Sequence, residues 1–349
     1  MRAFVVSKYG QPLQEAEVAE PTVGPADVLV RIEAASVNHL DERIRLGAFR
    51  RILPYRLPVI LGHDLAGTVI AVGANVRGFR PGDEVYARPS EARIGTFAER
   101  IAVAEGDLAL KPVSISMAEA GSLPLVALTA WQALVERGKV GPGQKVLIHA
   151  GAGGVGSIAI QLAKHLGASV ATTVSASNAD FVRGLGADIV VDYRSEDFEQ
   201  LLSGYDLVLD SLGGEVLEKS LGILKPGGRV IGIAGPPDPA FARRSGVNAP
   251  LRWAIAALSA KIRSRAKKLG VTYEFLWMRA SGDQLREIAT LSDRGVLRPI
   301  LGKVVAFEQT PRALRSLAQG GIRGKAVLIG ARPAVGQGQG TIYQESQKS

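Results

Sequence analysis

Short apolar runs alternating with polar residues open this chain. Residues 4–6 form one such run. Residues 27–35 (DVLVRIEAA) alternate as a half-buried strand does. Residues 63–73 and 83–86 continue the pattern, separated by Gly-Pro and Pro-Gly turns. Residues 121–136 predict a helix, and 137–143 a loop. The pattern then changes. Residues 146–149 read as a buried strand and 155–166 as a helix. Further apolar runs at 169–173, 189–192, 207–209 and 229–233 recur at regular spacing, with helical stretches between most of them. This alternation predicts an α/β fold with a parallel sheet covered on both faces. Residues 284–294 predict another helix and 325–329 a last strand. Residues 331–349, rich in Gly, Gln and Ser, predict a flexible tail. No internal repeat is visible.

Residues 236–275 interrupt the alternation. Leu251, Ile255, Leu258, Ile262, Ala266 and Leu269 recur at steps of three or four, which predicts one amphipathic helix. Eight cations (Arg243, Arg244, Arg252, Lys261, Arg263, Arg265, Lys267, Lys268) stand here against Asp238 and Glu274 alone. The whole chain of 349 residues carries a formal charge of +9, so this stretch holds two-thirds of the excess. Charge so concentrated argues against a general nucleic-acid coat. The basic segment has three readings. It packs over a cleft, it lies on anionic lipid, or it is a solvated helix.

The chain has no cysteine, which excludes disulfides, thiolate zinc sites, iron–sulfur clusters and a Cys nucleophile. No segment reaches the roughly 18 apolar residues of a membrane span. The N-terminus lacks the pattern of a secretory signal. The cytoplasm is therefore the expected compartment.

Ala150-Gly151-Ala152-Gly153-Gly154-Val155-Gly156 joins a predicted strand to a predicted helix. In that setting a glycine triplet reads as a dinucleotide-binding turn. Gly151 would make the tight turn, Gly153 would admit the pyrophosphate, and Gly156 would let helix pack on strand. Ala152, Gly154 and Val155 share the helix N-terminus, where free N–H groups and the dipole favour anions. An NAD site places an acid about 20 residues further on. Here that stretch is Thr172 to Asn178, and the first acid is Asp180. Ser175, Ser177 and Asn178 leave room for a 2′-phosphate, so NADPH is the expected cofactor, although Ser and Asn also form turns. Tyr193 and Arg194 are further candidate donors, and Leu212 and Ala234 complete the expected cofactor set.

These features, together with Ser36-Val37-Asn38-His39-Leu40-Asp41, Leu61-Gly62-His63-Asp64-Leu65-Ala66-Gly67, Pro81-Gly82-Asp83-Glu84-Val85, Leu128-Thr129-Ala130-Trp131 and Gly324-Lys325-Ala326-Val327-Leu328, occur in order along residues 1–330. The chain resembles the medium-chain dehydrogenase/reductases, in particular the zinc-independent quinone oxidoreductase branch with its alkenal/enone oxidoreductases. The resemblance implies a GroES-like β-barrel catalytic domain (1–121 and 281–330) and a Rossmann NADP-binding domain (122–280), with the basic segment 236–275 as an insert. It implies NADPH as hydride donor and, in some members, a homodimer.

Zinc members of the family use a Cys, a His and a second Cys. Asn38 stands at the first Cys position, His63 matches the His, and there is no second Cys. One imidazole cannot supply the three ligands of a catalytic zinc, so no metal is expected. His39, His149 and His165 are expected to be structural. Without a Lewis acid, a conjugated enal, enone or quinone is the easier hydride acceptor, because its charge spreads to oxygen. By family position Asn38 and Thr129 would touch the nicotinamide side of the cleft. Lys325 either reaches the cleft or is a solvated lysine. Tyr55 lines the acceptor pocket, donates a proton, or is a loop tyrosine. Reduction of simple aldehydes, and a non-enzymatic NADPH-, RNA- or membrane-binding scaffold, are the alternative functions.

Overall fold

The computed structural model describes residues 1–330; the expected tail, 331–349, lies outside the described residues. Two large sheets organise the chain. One holds six parallel strands in the spatial order Ile189–Asp192, Ser169–Val174, Lys145–His149, Tyr205–Asp210, Leu224–Gly232 and Thr272–Phe275. This 3-2-1-4-5-6 order is that of a Rossmann sheet, with its switch point beside Lys145–His149. Leu147 and Ile148 are fully buried, so this strand packs on both faces. Helices such as Gly154–His165 and Gly214–Ser220 make the crossovers.

The other sheet joins the two ends of the chain. Asp27–Ser36 pairs antiparallel with Asp64–Val72 and Arg100–Ala104. Its end at Ala34, Ala35 and Ser36 also pairs with Lys325–Ile329, which runs parallel to Leu301–Ala306. Three short strands, Gln14–Glu17, Arg2–Val6 and Val59–Ile60, form a smaller antiparallel sheet. The C-terminal strands thus complete the N-terminal barrel. They also meet the Rossmann part, because Gly324 N–H donates to Ala152 O at 2.9 Å.

The segment expected as one basic helix is three helices and a strand. Pro239–Arg244, Ala249–Leu258 and Ala260–Lys268 lead into Thr272–Phe275, the sixth strand of the sheet. The break falls at Ser259, which is fully buried. Ser259 takes the inward place after Leu251 and Ile255, and Ile262 and Ala266 follow. Leu258 is turned out and left 66% exposed. The helix expected over 121–136 runs as Pro124–Trp131 and continues as a π-helical turn at Gln132–Arg137, after a separate short helix at Met117–Ala120. Pro124 stands in its first turn, where a missing N–H costs nothing.

His149, at the end of the central strand, is 1% exposed. Its Nδ1 lies 3.0 Å from Thr173 Oγ1 and its Nε2 2.9 Å from Ser220 Oγ. Burial pushes its pKa down to about 4 from an ordinary 6.5. The unfolded chain therefore binds a proton that the folded chain refuses. Stability should be unaffected above pH 6.5 and should fall as pH drops toward 4, by about 3 kcal/mol for this one group. Urea melts at pH 7 and pH 5 test it. His149→Asn should be less stable at pH 7 but should lose less between the two pH values.

Candidate active site

A cleft of about 430 Å³ runs between the two sheets. Its walls include Asn38, Thr129, Gly153, Gly154, Val155, Leu212, Ala234 and Lys325 from the predicted set. Gly151, Ala152, Ser175, Ser177, Asn178, Tyr193 and Tyr55 do not line it.

The glycine turn is built differently from the expectation. The left-handed residue is Ala150, at φ 53°. Gly151 is needed for contact, since a Cβ there would stand 2.1 Å from Thr172 Oγ1 on the neighbouring strand. Gly156 also fills its expected packing place, with a Cβ meeting Ala150 O at 2.3 Å. At Gly153 a Cβ would meet only Ala150 O, at 3.3 Å. Gly153 is the N-cap of the twelve-residue helix Gly154–His165 and faces the cleft. Its missing side chain leaves room for a ligand next to the unpaired N–H groups of the first turn. The turn therefore fits a dinucleotide pyrophosphate.

Asn38, Lys325 and Asp64 form one buried network. Lys325 Nζ donates to Val37 O at 3.1 Å, to Asp64 Oδ2 at 3.2 Å and to Asn38 Oδ1. Asn38 Nδ2 donates to Asp64 Oδ2 at 2.9 Å and to Ser36 O at 3.3 Å. Ser36 Oγ gives Asp64 a further bond of 2.6 Å, and Leu125 N–H another of 2.6 Å. All three protons of the ammonium have acceptors. The stem of Lys325 also packs beneath the glycine turn, within 2.9 Å of where a Cβ on Gly154 would be. Lys325 is thus a buried strut and not a solvated lysine. Thr129 Oγ1 is turned to Leu125 O, 2.7 Å away.

Tyr55 packs against the barrel core, and its hydroxyl is buried without a partner. Burial, and then the Glu91 carboxylate, raise its pKa, so the phenol keeps its proton. His63 is fully buried and its Nδ1 lies 2.6 Å from Asp41 Oδ1. Asp41 in turn accepts Asn38 N–H and caps the helix His39–Arg45. Among the described residues no group of three or more His, Asp or Glu is placed to hold a metal.

The second-strand loop lies beside the cleft. Ser175 Oγ is 3.0 Å from Ser177 Oγ, and Asn178 Nδ2 donates to Ser175 Oγ at 3.1 Å. Tyr193 N–H donates to Val174 O, which brings Tyr193 next to this loop. Arg194 stacks over the Tyr193 ring, 5.8 Å from its centroid. The sequence offered no cation within the loop itself, but the fold supplies one. Arg323 Nε donates to Asn178 Oδ1 at 2.6 Å and its Nη2 to Ser177 O at 2.8 Å.

Other site residues were missed as well. Asp64 is the hub of the network, though it sits within the quoted Leu61–Gly67 motif. Asp210 accepts the N–H groups of Leu212 and Gly213 and so shapes the turn that carries Leu212 into the cleft. Burial raises its pKa. His39, expected to be structural, faces the cleft, and burial together with the Lys325 charge lowers its pKa. Phe49, Phe241, Phe275 and Trp277 make an aromatic wall, with Phe49 to Trp277 at 5.0 Å and Phe241 to Phe275 at 5.3 Å. Phe241 comes from the first helix of the basic segment, so the front of that segment covers the cleft.

Comparisons with known proteins agree with this arrangement. Residues 24–113 match the alcohol dehydrogenase GroES-like domain, and residues 185–328 match the zinc-binding dehydrogenase family. The chain is 34% identical to the mitochondrial NAD(P)H oxidoreductase RTN4IP1 of Danio rerio, over 94% of this chain and 91% of that protein. The chain belongs to the medium-chain dehydrogenase/reductases, in the quinone oxidoreductase and alkenal/one oxidoreductase branch. It is 41% identical to the chloroplastic NADPH-dependent alkenal/one oxidoreductase of Arabidopsis thaliana, over 68% of this chain and 64% of that protein. The structure of the Escherichia coli quinone oxidoreductase complexed with NADPH superposes with a TM-score of 0.79 at 26% identity, over 95% of this chain and all of that one. This medium-chain reductase is therefore an NAD(P)H oxidoreductase of that type. Its relatives in organelles and the cytoplasmic expectation point to different compartments.

Proposed function

We propose that the protein is an NADPH-dependent, zinc-independent reductase of enals, enones or quinones. The observation that carries this reading is the aromatic wall of the cleft facing the glycine turn. A flat, apolar, conjugated acceptor fits between them. Reduced nicotinamide supplies the hydride when bound. The chain's residues do the rest. Gly153 and the helix N-terminus hold the pyrophosphate. Arg323, Ser175, Ser177, Asn178 and Tyr193 surround the 2′-phosphate, and Leu212 and Ala234 border the dinucleotide. Phe49, Phe241, Phe275 and Trp277 hold the acceptor and exclude water, which strengthens any donor to the developing oxyanion. Asn38 and Lys325 position the floor of the site through Asp64. Division into a barrel domain (1–121, 281–330) and a dinucleotide domain (122–280) places the chemistry at their junction.

Initial rates on enals, enones, quinones and saturated aldehydes, each with NADPH and with NADH, test the reading. Turnover of saturated aldehydes alone would overturn it, and so would a strong preference for NADH. Trp277 is a more local probe. Its Nε1 donates to Glu91 at 3.0 Å, and its ring touches three other aromatic rings. Trp277→Ala should raise the acceptor KM about tenfold, in line with the loss of 1–2 kcal/mol of ring contact. The KM for NADPH should stay within about twofold.

A further inference from the structure

The helix Ala249–Leu258 is apolar on every side except at Arg252. Such a helix belongs in a core or against a membrane. Its inner face is accounted for, because Ile255 is buried and Leu251 packs with Phe241 and Ile262. Its outer face has no cover. At 100° per residue Pro250, Trp253, Ala254, Ala257 and Leu258 share one side, and all are exposed. Trp253 is 78% exposed. Cations end the helices that precede and follow this apolar helix. Arg243 and Arg244 end the helix packed beside it, and Lys267 and Lys268 end the helix that follows it. None of these four makes an ion pair among the described residues. Lys261 and Arg265 share the single carboxylate of Glu218.

We propose that this face docks the protein on an anionic lipid bilayer. Hydrocarbon at the centre and cations at the rim match a leaflet whose acyl boundary lies just beneath anionic headgroups. Trp253 suits the interface, where an indole sits at headgroup level. A second copy of the chain is a poor occupant, because two such rims would face each other with the same sign. RNA is a poor occupant too, because the centre of the patch is hydrocarbon and carries no cation to pair with a phosphate. The docked helix adjoins Phe241 of the cleft wall, so an apolar acceptor dissolved in the bilayer would meet the enzyme on this side. The proposal goes beyond the reductase reading and does not depend on it, since docking requires no turnover.

Flotation of the full chain on vesicles tests it. The vesicles are phosphatidylcholine alone, or an equal mixture with phosphatidylglycerol. The protein should float with the mixed vesicles at low salt, stay behind with the neutral ones, and be released by high salt. Trp253→Ser with Leu258→Ser should weaken binding at least about tenfold. Lys267→Gln with Lys268→Gln should weaken it about fivefold per charge removed. All four positions are exposed, so circular dichroism and NADPH affinity should be unchanged in both variants. No flotation on anionic vesicles would overturn the proposal. So would binding that the Trp253 and Leu258 changes leave intact. A lipid-free dimer that those changes dissolve, or a gel shift with RNA without vesicle binding, would also overturn it.

Discussion

Replacing Arg323 with alanine should lower kcat/KM for NADPH about 10- to 100-fold and leave that for NADH within about twofold. The expected size follows from charge. A charge-assisted bond from a guanidinium to a phosphate is worth about 1.5–3 kcal/mol, and each 1.4 kcal/mol is about a factor of ten. Two of the five N–H donors of a guanidinium already anchor Arg323 to the Ser177–Asn178 turn. The anchorage fixes the remaining donors at the end of the second strand, where the proposed function puts the 2′-phosphate. No acid stands between Thr172 and Asn178 to repel it. NADH has no 2′-phosphate and serves as the internal control. An equal loss with both cofactors would mean that Arg323 only shapes the loop. Arg323→Lys should recover part of the NADPH preference, because it restores the charge but not the two-pronged anchorage.

Arg323 also shows what local pattern can and cannot reveal. It lies 145 residues from Asn178 along the chain. Hydrophobic periodicity reports how one element faces its core, and it is blind to which distant residue meets that element's end. The period-two run at 27–35 and the run at 146–149 became strands because burial on one or both faces is a local property. The glycine turn was legible for the same reason, and so was the packing place of Gly156, but the role of Gly151 was not. What Gly151 is needed for is its close approach to Thr172, a contact across the sheet. The sixth strand was hidden because cations dominate the stretch before it. The spacing of three and four from Leu251 to Leu269 took Leu258 as an inward residue, where the fold turns the small Ser259 inward instead. Asp64 lay in plain view within a quoted motif. Its importance comes from Ser36, Asn38, Leu125 and Lys325 converging on one carboxylate.

The same convergence makes Lys325 a sensitive position for stability. Lys325→Met should cost about 3–5 kcal/mol, the usual result of removing one partner from a buried ion pair. Lys325 is 6% exposed and Asp64 is fully buried. Methionine fills much of the lysine stem's volume, so packing beneath Gly154 survives and the charge is what is lost. Asp64 would retain Ser36, Asn38 and Leu125 as donors but no cation. Urea melts should show the midpoint falling with little change in slope. Lys325→Met combined with Asp64→Asn should recover more than half of the loss, because no uncompensated charge then remains buried. Turnover separates the structural role from a chemical one. All three protons of this ammonium point to protein acceptors, so the stable double variant should keep kcat within about tenfold at saturating NADPH. A restored fold with turnover lowered about a thousandfold would instead make Lys325 the proton donor.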